Sequence, residues 1–558
     1  MSKKRNYSDW SKEELIREVE ALRKQKTYGL VWDRDKTKEE FDYYINWDGV
    51  KNKEVFKDAE GKFPVLKEVN IKEITTDKKL DYNMLIEGDN YHALAVLNFT
   101  HNKAIDVIYI DPPYNTGNND FKYNDTFVEK EDAYRHSKWL SFMEKRLKLA
   151  RNLLKDTGVI FISIDDNEYA QLKILCDEIY GDDNFLANII WQHSVQPKGY
   201  SDKFSIHHNY ILVYQKTSKF ELNAFERTEE HNVNYSNPDN DPNGPWRTGD
   251  VRNALYRPNL IFDIKTPSGR IISPPKKGWR WSKETMQEKI KSGEIFFNKN
   301  ETRIIHKIYL KNVSGRAPET IWFGKDVGTT REANQDLKVI FSGVSNFETP
   351  KPVKLLKQII KLTKNKNGVI LDFFAGSGTT GQAVLELNKE DSGNRTFILC
   401  TNDENNICTD VCYPRVKKVF QNLEKESKGK LVQHAPGNLK YFKTDFVESA
   451  PTDKNKKDIV KKSTEMLCIK ENAFELVKEG ENFKIFRNSN HYLGIIFDDD
   501  VSDFVEEAKK IKGKINVYLF SLDESVPETE FKLVKDKVKL CPIPEVILHV
   551  YRRIFKND

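Results

Sequence analysis

The chain has 558 residues, 38% hydrophobic and 31% charged, with a net charge of +5 and a mean hydropathy of -0.67. At roughly 100 to 200 residues per domain this length implies about three or four domains, and the apolar content excludes disorder throughout. No stretch approaches the roughly 18 to 20 apolar residues of a membrane span, MSKKRNYSDWSKEEL lacks the apolar segment of a secretory signal, and six scattered cysteines do not suggest a disulfide framework, so a cytoplasmic chain is expected.

Residues 1–80 read as an N-terminal helical arm, with Ser11 and Glu14 as a capping box and Leu15, Val19 and Leu22 at helical spacing. One short stripe suits a surface helix and an oligomerising contact equally. From 81 to 195 the pattern alternates strand and helix: NMLIEGDN, a helix through NYHALAVLNF, the buried strand AIDVIYID, a polar stretch, a helix from about 133 to 154, the strand VIFISI and a helix through LKILCDEIYG. Such alternation predicts a parallel sheet covered by helices on both faces.

Residues 196–340 break this rhythm and read as an inserted module. Between Arg247 and Arg316 stand sixteen Lys and Arg against six Asp and Glu, a local charge of +10, while the rest of the chain sums to −5. Trp279, Trp281, Phe296, Phe297 and Tyr309 interleave with these cations, as expected where a surface meets phosphates and bases; a solvated basic face is the plainer reading. The βα pattern resumes over 341–445 with KPVKLLKQIIKL, GVILDFF, a Gly-rich turn, a helix through GQAVLEL and the strand TFILCTNDE. Residues 446–558 suggest a small C-terminal α/β domain, with strand-like YLGIIFDDD and INVYLF, a helix around VEEAKKI and an end segment EVILHVYRRIF.

Two constellations carry chemistry. Asp111-Pro112-Pro113-Tyr114 directly follows an apolar strand, so its side chains emerge at the carboxyl edge of the sheet, where ligands bind. The prolines fix φ and hold carbonyl acceptors rigidly. An exocyclic amine of adenine is a poor nucleophile because its lone pair is delocalised; Asp111 and the Pro112 carbonyl can accept its hydrogens, and Tyr114 can stack on a base drawn out of the duplex. A rigid turn with no chemistry is the plainer reading. In Asp372-Phe373-Phe374-Ala375-Gly376-Ser377-Gly378-Thr379-Thr380, the glycines permit close ligand approach and the helix that follows favours an anionic group. No Lys follows as in a P-loop, and the dinucleotide fingerprint is incomplete.

Together these motifs resemble those of the amino-methyltransferases of DNA, in the permuted order of their β class: catalytic motif, insertion, cofactor loop. LIEGDNYHAL, IDVIYIDPPYNTGN, GVIFISIDDNE, DENNICTDVCYPRVKKV and GLVWD near residue 30 resemble the modification subunit of Type III restriction-modification systems over roughly 25–445. The resemblance implies a Rossmann-like S-adenosylmethionine-dependent methyltransferase fold with an inserted target-recognition domain. It implies Asp111 and Tyr114 as catalytic and Pro112 as backbone acceptor, with Asp372, Phe373, Gly376, Ser377, Gly378 and Thr379 around the methionine part of the cofactor. Lys351 and Pro352 stand at the family's K-P helix start, which approaches the carboxylate of that methionine part. Asp403 or Glu404 is implied for the ribose hydroxyls, and Asp89 for the pocket wall, although turn geometry alone explains Asp89 nearly as well.

His207 and His208 precede a strand where the family often has a polar residue near the flipped base; neighbours on a strand face opposite ways, so at most one can serve. Cys408 and Cys412 lack a second ligand pair, and no metal is expected. The expected activity is adenine N6 methylation of double-stranded DNA. Rivals are N4-cytosine methylation, a catalytically silent DNA-recognition subunit, and an RNA or protein amino-methyltransferase. The family resemblance further implies a homodimer and a restriction partner carrying ATP-dependent translocase and nuclease activity.

Overall fold

A computed structural model describes residues 11, 12, 32, 62–77, 80–118, 120–123, 126–197, 204–343, 347–427, 437–448, 453–488, 490–497, 500–520 and 530–542. The expected helical stripe Leu15, Val19 and Leu22, most of GLVWD and the segment EVILHVYRRIF lie outside the described residues. The chain divides into two compact units, one built from residues up to 221 and from 319 onward, the other from 222–318. The inserted unit is therefore narrower than the expected 196–340, because strands on both flanks of it join the main sheet.

The main unit is α/β. Its elements are β1 (Lys62–Glu68), β2 (Tyr82–Glu87), α1 (Asn90–Thr100), β3 (Ile105–Ile110), α2 (Arg135–Leu153), β4 (Leu154–Ile164), α3 (Tyr169–Tyr180), β5 (Phe185–Gln192), β6 (His208–Gln215), β7 (Ile321–Trp322), α4 (Thr330–Ile340), α5 (Val353–Lys361), β8 (Val369–Asp372), α6 (Thr379–Asp391), β9 (Thr396–Thr401), α7 (Tyr413–Ser427), β10 (Asn438–Glu448) and α8 (Asp453–Glu471). Ten strands form one sheet in the order β1-β10-β2-β9-β8-β3-β4-β6-β5-β7. From β10 through β4 all neighbours are parallel, whereas β6 runs antiparallel to both β4 and β5.

Every residue of β3 is buried, as expected of a mostly apolar strand covered on both faces; its one charged residue, Asp106, accepts from Lys155, Asn365 and the Val369 amide. Along α2, Trp139, Leu140, Met143, Leu147 and Ala150 recur at three- and four-residue spacing and are all buried. Helices α1, α2 and α3 pack side by side, as do α5, α6 and α7. Beyond α8, five strands form a separate sheet, Glu475–Glu479, Phe483–Arg487, Tyr492–Ile496, Ile515–Leu519 and Val538–Leu540, accompanied by a helix Ser502–Lys510. Leu493, Ile495 and Tyr518 of that sheet share one apolar core with Met466 and Leu467 of α8 and with the main sheet.

The unit 222–318 contains a three-stranded antiparallel sheet ordered Ile295–Phe297, Ile304–Tyr309, Trp246–Gly249, and a helix Lys283–Lys291 capped by Ser282. Its small core is Ile264, Trp279, Met286, Ile295 and Ile304. Trp279 and Tyr309, read from the sequence as surface aromatics, are buried. Trp279 belongs to the small core and its indole donates to the Phe262 carbonyl at 2.7 Å, while the Tyr309 hydroxyl donates to Asp241 at 2.9 Å. The exposed apolar side chains of this unit lie elsewhere, Leu255 at 64% and Tyr256 at 62% among them.

Candidate functional site

The parallel pairing of β3 with β8 aligns Val107 with Ile370 and Ile108 with Leu371. Asp111, just past the end of β3, and Asp372, the last residue of β8, thus emerge side by side at the carboxyl edge of the sheet. Two motifs far apart in the chain open onto one place.

Both oxygens of Asp111 are engaged. The Tyr114 hydroxyl donates to Oδ1 at 2.9 Å, and the Lys351 ammonium pairs with Oδ2. Burial, reinforced by the Asp111 charge, pushes the Tyr114 phenol well above its usual range, so it remains a neutral donor. The Lys351 ammonium also lies 5.2 Å from the Tyr114 ring centre and 5.9 Å from that of Trp191. Lys351, assigned to the cofactor side by resemblance, therefore sits on the carboxylate of the other motif. Pro352 follows it as the N-cap residue of α5. The Pro113 carbonyl accepts from the buried Trp139 indole at 2.8 Å, fixing the tetrapeptide to α2.

Asp372 is 3% exposed and accepts from the Thr380 hydroxyl and, at 3.0 Å, from the Phe374 amide. Burial, helped by the nearby Asp111 charge, pushes its carboxyl up to about 7 against those hydrogen bonds and the Lys351 charge. The turn that follows is tight. Gly376 and Gly378 have φ of 48° and 77°, the left-handed region that a glycine enters freely. A Cβ on Gly378 would stand 3.0 Å from Cys412 Sγ and 3.3 Å from the Cys412 carbonyl, so this turn needs glycine for space as well. Phe373 is fully buried beneath it, and its carbonyl accepts from Asn90 Nδ2 at 2.8 Å.

Asp89 caps α1 by accepting from the Tyr91 amide at 2.7 Å, and the Arg146 guanidinium reaches it at 3.4 Å. Arg146 also donates to Asn90 Oδ1 at 2.6 Å and stacks 3.6 Å from the Phe142 ring centre, whose ring in turn meets Phe374 at 5.9 Å. This chain of side chains ties the start of α1 to the glycine turn.

Arg415 carries no sign of a site residue in the sequence. It is 1% exposed and donates from Nη1 to Ser377 Oγ at 2.9 Å and to Thr379 Oγ1 at 2.8 Å, and from Nε to Gln382 Oε1 at 2.8 Å. Burial lowers its guanidinium to about 10. The hydroxyls of Ser377 and Thr379 therefore brace the turn from within. Past β9, Asp403 accepts from the Thr409 amide at 2.9 Å and hydroxyl at 3.0 Å, while Glu404 pairs with Lys122. Asp403 is engaged in holding the turn that leads to α7; Glu404 bridges to the polar stretch after Tyr114.

On the other flank of Asp111, His207 Nδ1 lies 3.0 Å from the Ser194 carbonyl, while His208 Nε2 meets the Tyr210 hydroxyl at 3.1 Å, which donates to Asp166 at 2.8 Å. Cys408 and Cys412 are buried thiols, and among the described residues no group of three His, Cys, Asp or Glu side chains is arranged to hold a metal. Nor is any described helix long and apolar enough to cross a membrane.

In the second unit, the segments 251–260 and 276–281 are cross-linked by the Asn253 amide to the Gly278 carbonyl at 3.0 Å, the Arg257 amide to the Lys277 carbonyl at 3.2 Å and the Arg280 amide to the Val251 carbonyl at 2.8 Å. The resulting knuckle exposes Leu255 and Tyr256 amid exposed Arg252, Arg257, Lys276, Lys277 and Arg280. Of these cations, Arg252 pairs with Asp250.

Residues 105–411, more than half of the chain, match a family model described as DNA methylase. The chain is 39% identical over 353 residues to the StyLTI Mod subunit of a Type III restriction-modification enzyme of Salmonella typhimurium, covering 59% of this chain and 53% of that protein. It is 35% identical over 381 residues to the Type II methyltransferase M.KpnI of Klebsiella pneumoniae, covering 62% and 87%. To the EcoPI Mod subunit of Escherichia phage P1 it is 32% identical over 392 residues, covering 59% and 58%. The matches thus span little more than half the length of the two Mod subunits and most of M.KpnI.

Proposed function

The chain belongs to the DNA methylase family, and from that premise we propose that it transfers a methyl group from S-adenosylmethionine to adenine N6 in double-stranded DNA, as the modification subunit of a Type III restriction-modification system. One observation carries the reading: Asp111-Pro112-Pro113-Tyr114 and the glycine turn after Asp372 leave adjacent parallel strands at the same sheet edge.

The residues present fit the cofactor. The turn at Gly376 and Gly378 lets a ligand approach the backbone, and a buried carboxyl held near neutrality at Asp372 is a natural neighbour for positive charge. When bound, S-adenosylmethionine supplies an activated methyl group on a positively charged sulfur. Asp372, Phe373, Gly376, Ser377, Gly378 and Thr379 would hold its methionine part, and Asp89 the pocket wall. Asp403, which also holds Thr409, or Glu404, which also pairs with Lys122, would accept the ribose hydroxyls.

Toward the base, Asp111 and the Pro112 carbonyl accept the two N6 hydrogens, which favours a pyramidal nitrogen with its lone pair available. Tyr114 offers its ring to the base face while its hydroxyl holds Asp111 in place. With the methyl group that the bound cofactor would supply placed beside that nitrogen, Asp111 would accept the proton that the amine gives up. The aspartate in this tetrapeptide favours adenine over cytosine. Digestion of methylated DNA to nucleosides with mass spectrometry tests this: N6-methyladenine is expected, and N4-methylcytosine alone would overturn the assignment.

The unit 222–318 is assigned to target recognition, with its knuckle toward the DNA. Partners are a second copy of the chain and a restriction subunit supplying ATP-dependent translocation and cleavage; light scattering and co-purification test each. A second reading, a stand-alone modification enzyme of the Type II kind, is favoured by the 87% of M.KpnI that the chain covers. Full methylation in a strain lacking any restriction partner, together with failure to bind a Type III restriction subunit, would select it.

A further inference from the structure

The loop after Tyr114 ends in a knot of three segments. Asn115 is 0% exposed and has φ of 56°, a left-handed conformation that asparagine tolerates better than most residues. Its Nδ2 donates to Glu168 Oε1 at 2.5 Å and to the Arg135 carbonyl at 3.3 Å. Glu168, at the start of α3, has a side chain with no exposure, and its Oε1 also meets His136 Nδ1, near the start of α2, at 2.7 Å. Among the described residues, the second carboxylate oxygen of Glu168 has no hydrogen-bond partner. Burial raises its carboxyl above the usual range.

A buried acid is a costly way to fasten a surface loop. Its placement gives it a more specific use. The tetrapeptide is gripped on one side of Tyr114 by Trp139, through the Pro113 carbonyl, and on the other by Glu168, through Asn115. Between these grips lies Tyr114, whose hydroxyl holds Asp111. A loop free at Asn115 would let the tyrosine ring turn and release Asp111 Oδ1.

We propose that Glu168 is a positioning residue of the methyl-transfer reaction, fixing Tyr114 and the Pro112 carbonyl through Asn115. The assignment rests on the function proposed above. The glycine turn hangs from β8 and is braced by Arg415, so cofactor binding is not routed through Glu168. The neighbouring His136, Gln171 and Arg135 side chains approach from α2 and α3 and complete the surroundings of the knot.

The test uses the full chain with Glu168→Ala, Glu168→Gln, Asn115→Gly and the Glu168→Ala/Asn115→Gly pair. Asn115→Gly keeps the left-handed backbone and deletes only the amide. Readouts are kcat and KM for tritiated methyl incorporation into DNA, the Kd of S-adenosylhomocysteine, and thermal melting. Glu168→Ala and Asn115→Gly should each lower kcat about 100-fold, the penalty typical of roughly 1 Å of misplacement, with S-adenosylhomocysteine affinity within about threefold. Glu168→Gln, which keeps the acceptor, should restore most of the rate. The double variant should be no slower than either single one, because both remove the same link. Undiminished kcat in Glu168→Ala, multiplicative losses in the pair, or loss of product binding in step with melting would each overturn the assignment. A parent enzyme that transfers no methyl group to DNA rejects the proposed function itself, a different result from an active parent with indifferent variants.

Discussion

Lys351 and Asp111, 240 positions apart, form an ion pair at the edge of two adjacent strands, with the Tyr114 hydroxyl on the opposite oxygen of the same carboxylate. The pair is largely shielded from water, and the Lys351 charge also acts on Asp372. One cation thus acts on both the acid of the catalytic motif, which it contacts, and the acid of the glycine turn. Replacing it with Met removes the positive charge that offsets both carboxyls. Lys351→Met should lower kcat by about 10- to 100-fold and weaken S-adenosylhomocysteine binding by less. Single-turnover rates and equilibrium dialysis check this; a larger effect on binding than on rate would return Lys351 to the cofactor alone.

Asp111→Ala removes the acceptor for the amine without touching the glycine turn or the second unit. Methyl incorporation should fall by at least about 100-fold, while S-adenosylhomocysteine affinity and DNA binding stay within a few-fold. Filter binding alongside tritium transfer separates the two. Labelling at the parent rate would remove Asp111 from the reaction.

Asp372 gives a pH dependence with a defined sign. Its folded carboxyl is raised to about 7, against about 3.9 in an unfolded chain. Between those values the folded state holds a proton that the unfolded state has released. Its contribution to stability therefore declines as pH rises from about 4 to 7, by up to about 1.4 kcal/mol per pH unit, and is flat above. Asp372→Asn mimics the protonated form and should lack that slope. Urea unfolding of both proteins between pH 5 and 8 should show the parent losing stability relative to the variant as pH rises; parallel curves would show Asp372 ionised throughout.

Both motif blocks were legible because each is local: an apolar strand, a rigid or glycine-rich turn, and a helix all fit within a few tens of residues. The insertion's edges were not. HNYILVYQ reads as a strand, but nothing local says that β6 pairs antiparallel with β4 and so belongs to the main sheet. Trp279 and Tyr309 misled for a related reason, since aromatics among cations look alike whether they face water or are buried. Arg415 and Glu168 escaped because their partners, Ser377 and Asn115, lie on other segments, and a charged residue in a polar stretch gives no sign that it is buried.

Arg415→Met tests the brace under the glycine turn. It leaves the hydroxyls of Ser377 and Thr379 and the Gln382 carbonyl oxygen without their donor in a closed interior, which costs about 3 kcal/mol. The urea midpoint should fall with an unchanged slope, and S-adenosylhomocysteine should bind more weakly, since the turn it would rest on has lost its support. Unaltered product affinity would show that the turn keeps its shape without the guanidinium.

The knuckle of the second unit separates two kinds of interaction with DNA. Arg257, Lys276 and Lys277 are exposed cations suited to phosphates, whereas Tyr256 and Leu255 are exposed apolar side chains suited to base edges or a base step. Lys276→Ala/Lys277→Ala should weaken binding to every duplex alike and reduce the slope of log affinity against log salt by about 2, since each cation that neutralises a phosphate adds about one unit to that slope. Tyr256→Ala should leave that slope unchanged and reduce the preference for the target sequence. Sequencing of methylated sites on plasmid DNA reads this directly. The variant should mark the parent's sites more weakly or mark additional ones, whereas the same sites at the same occupancy would show that Tyr256 takes no part in reading the sequence.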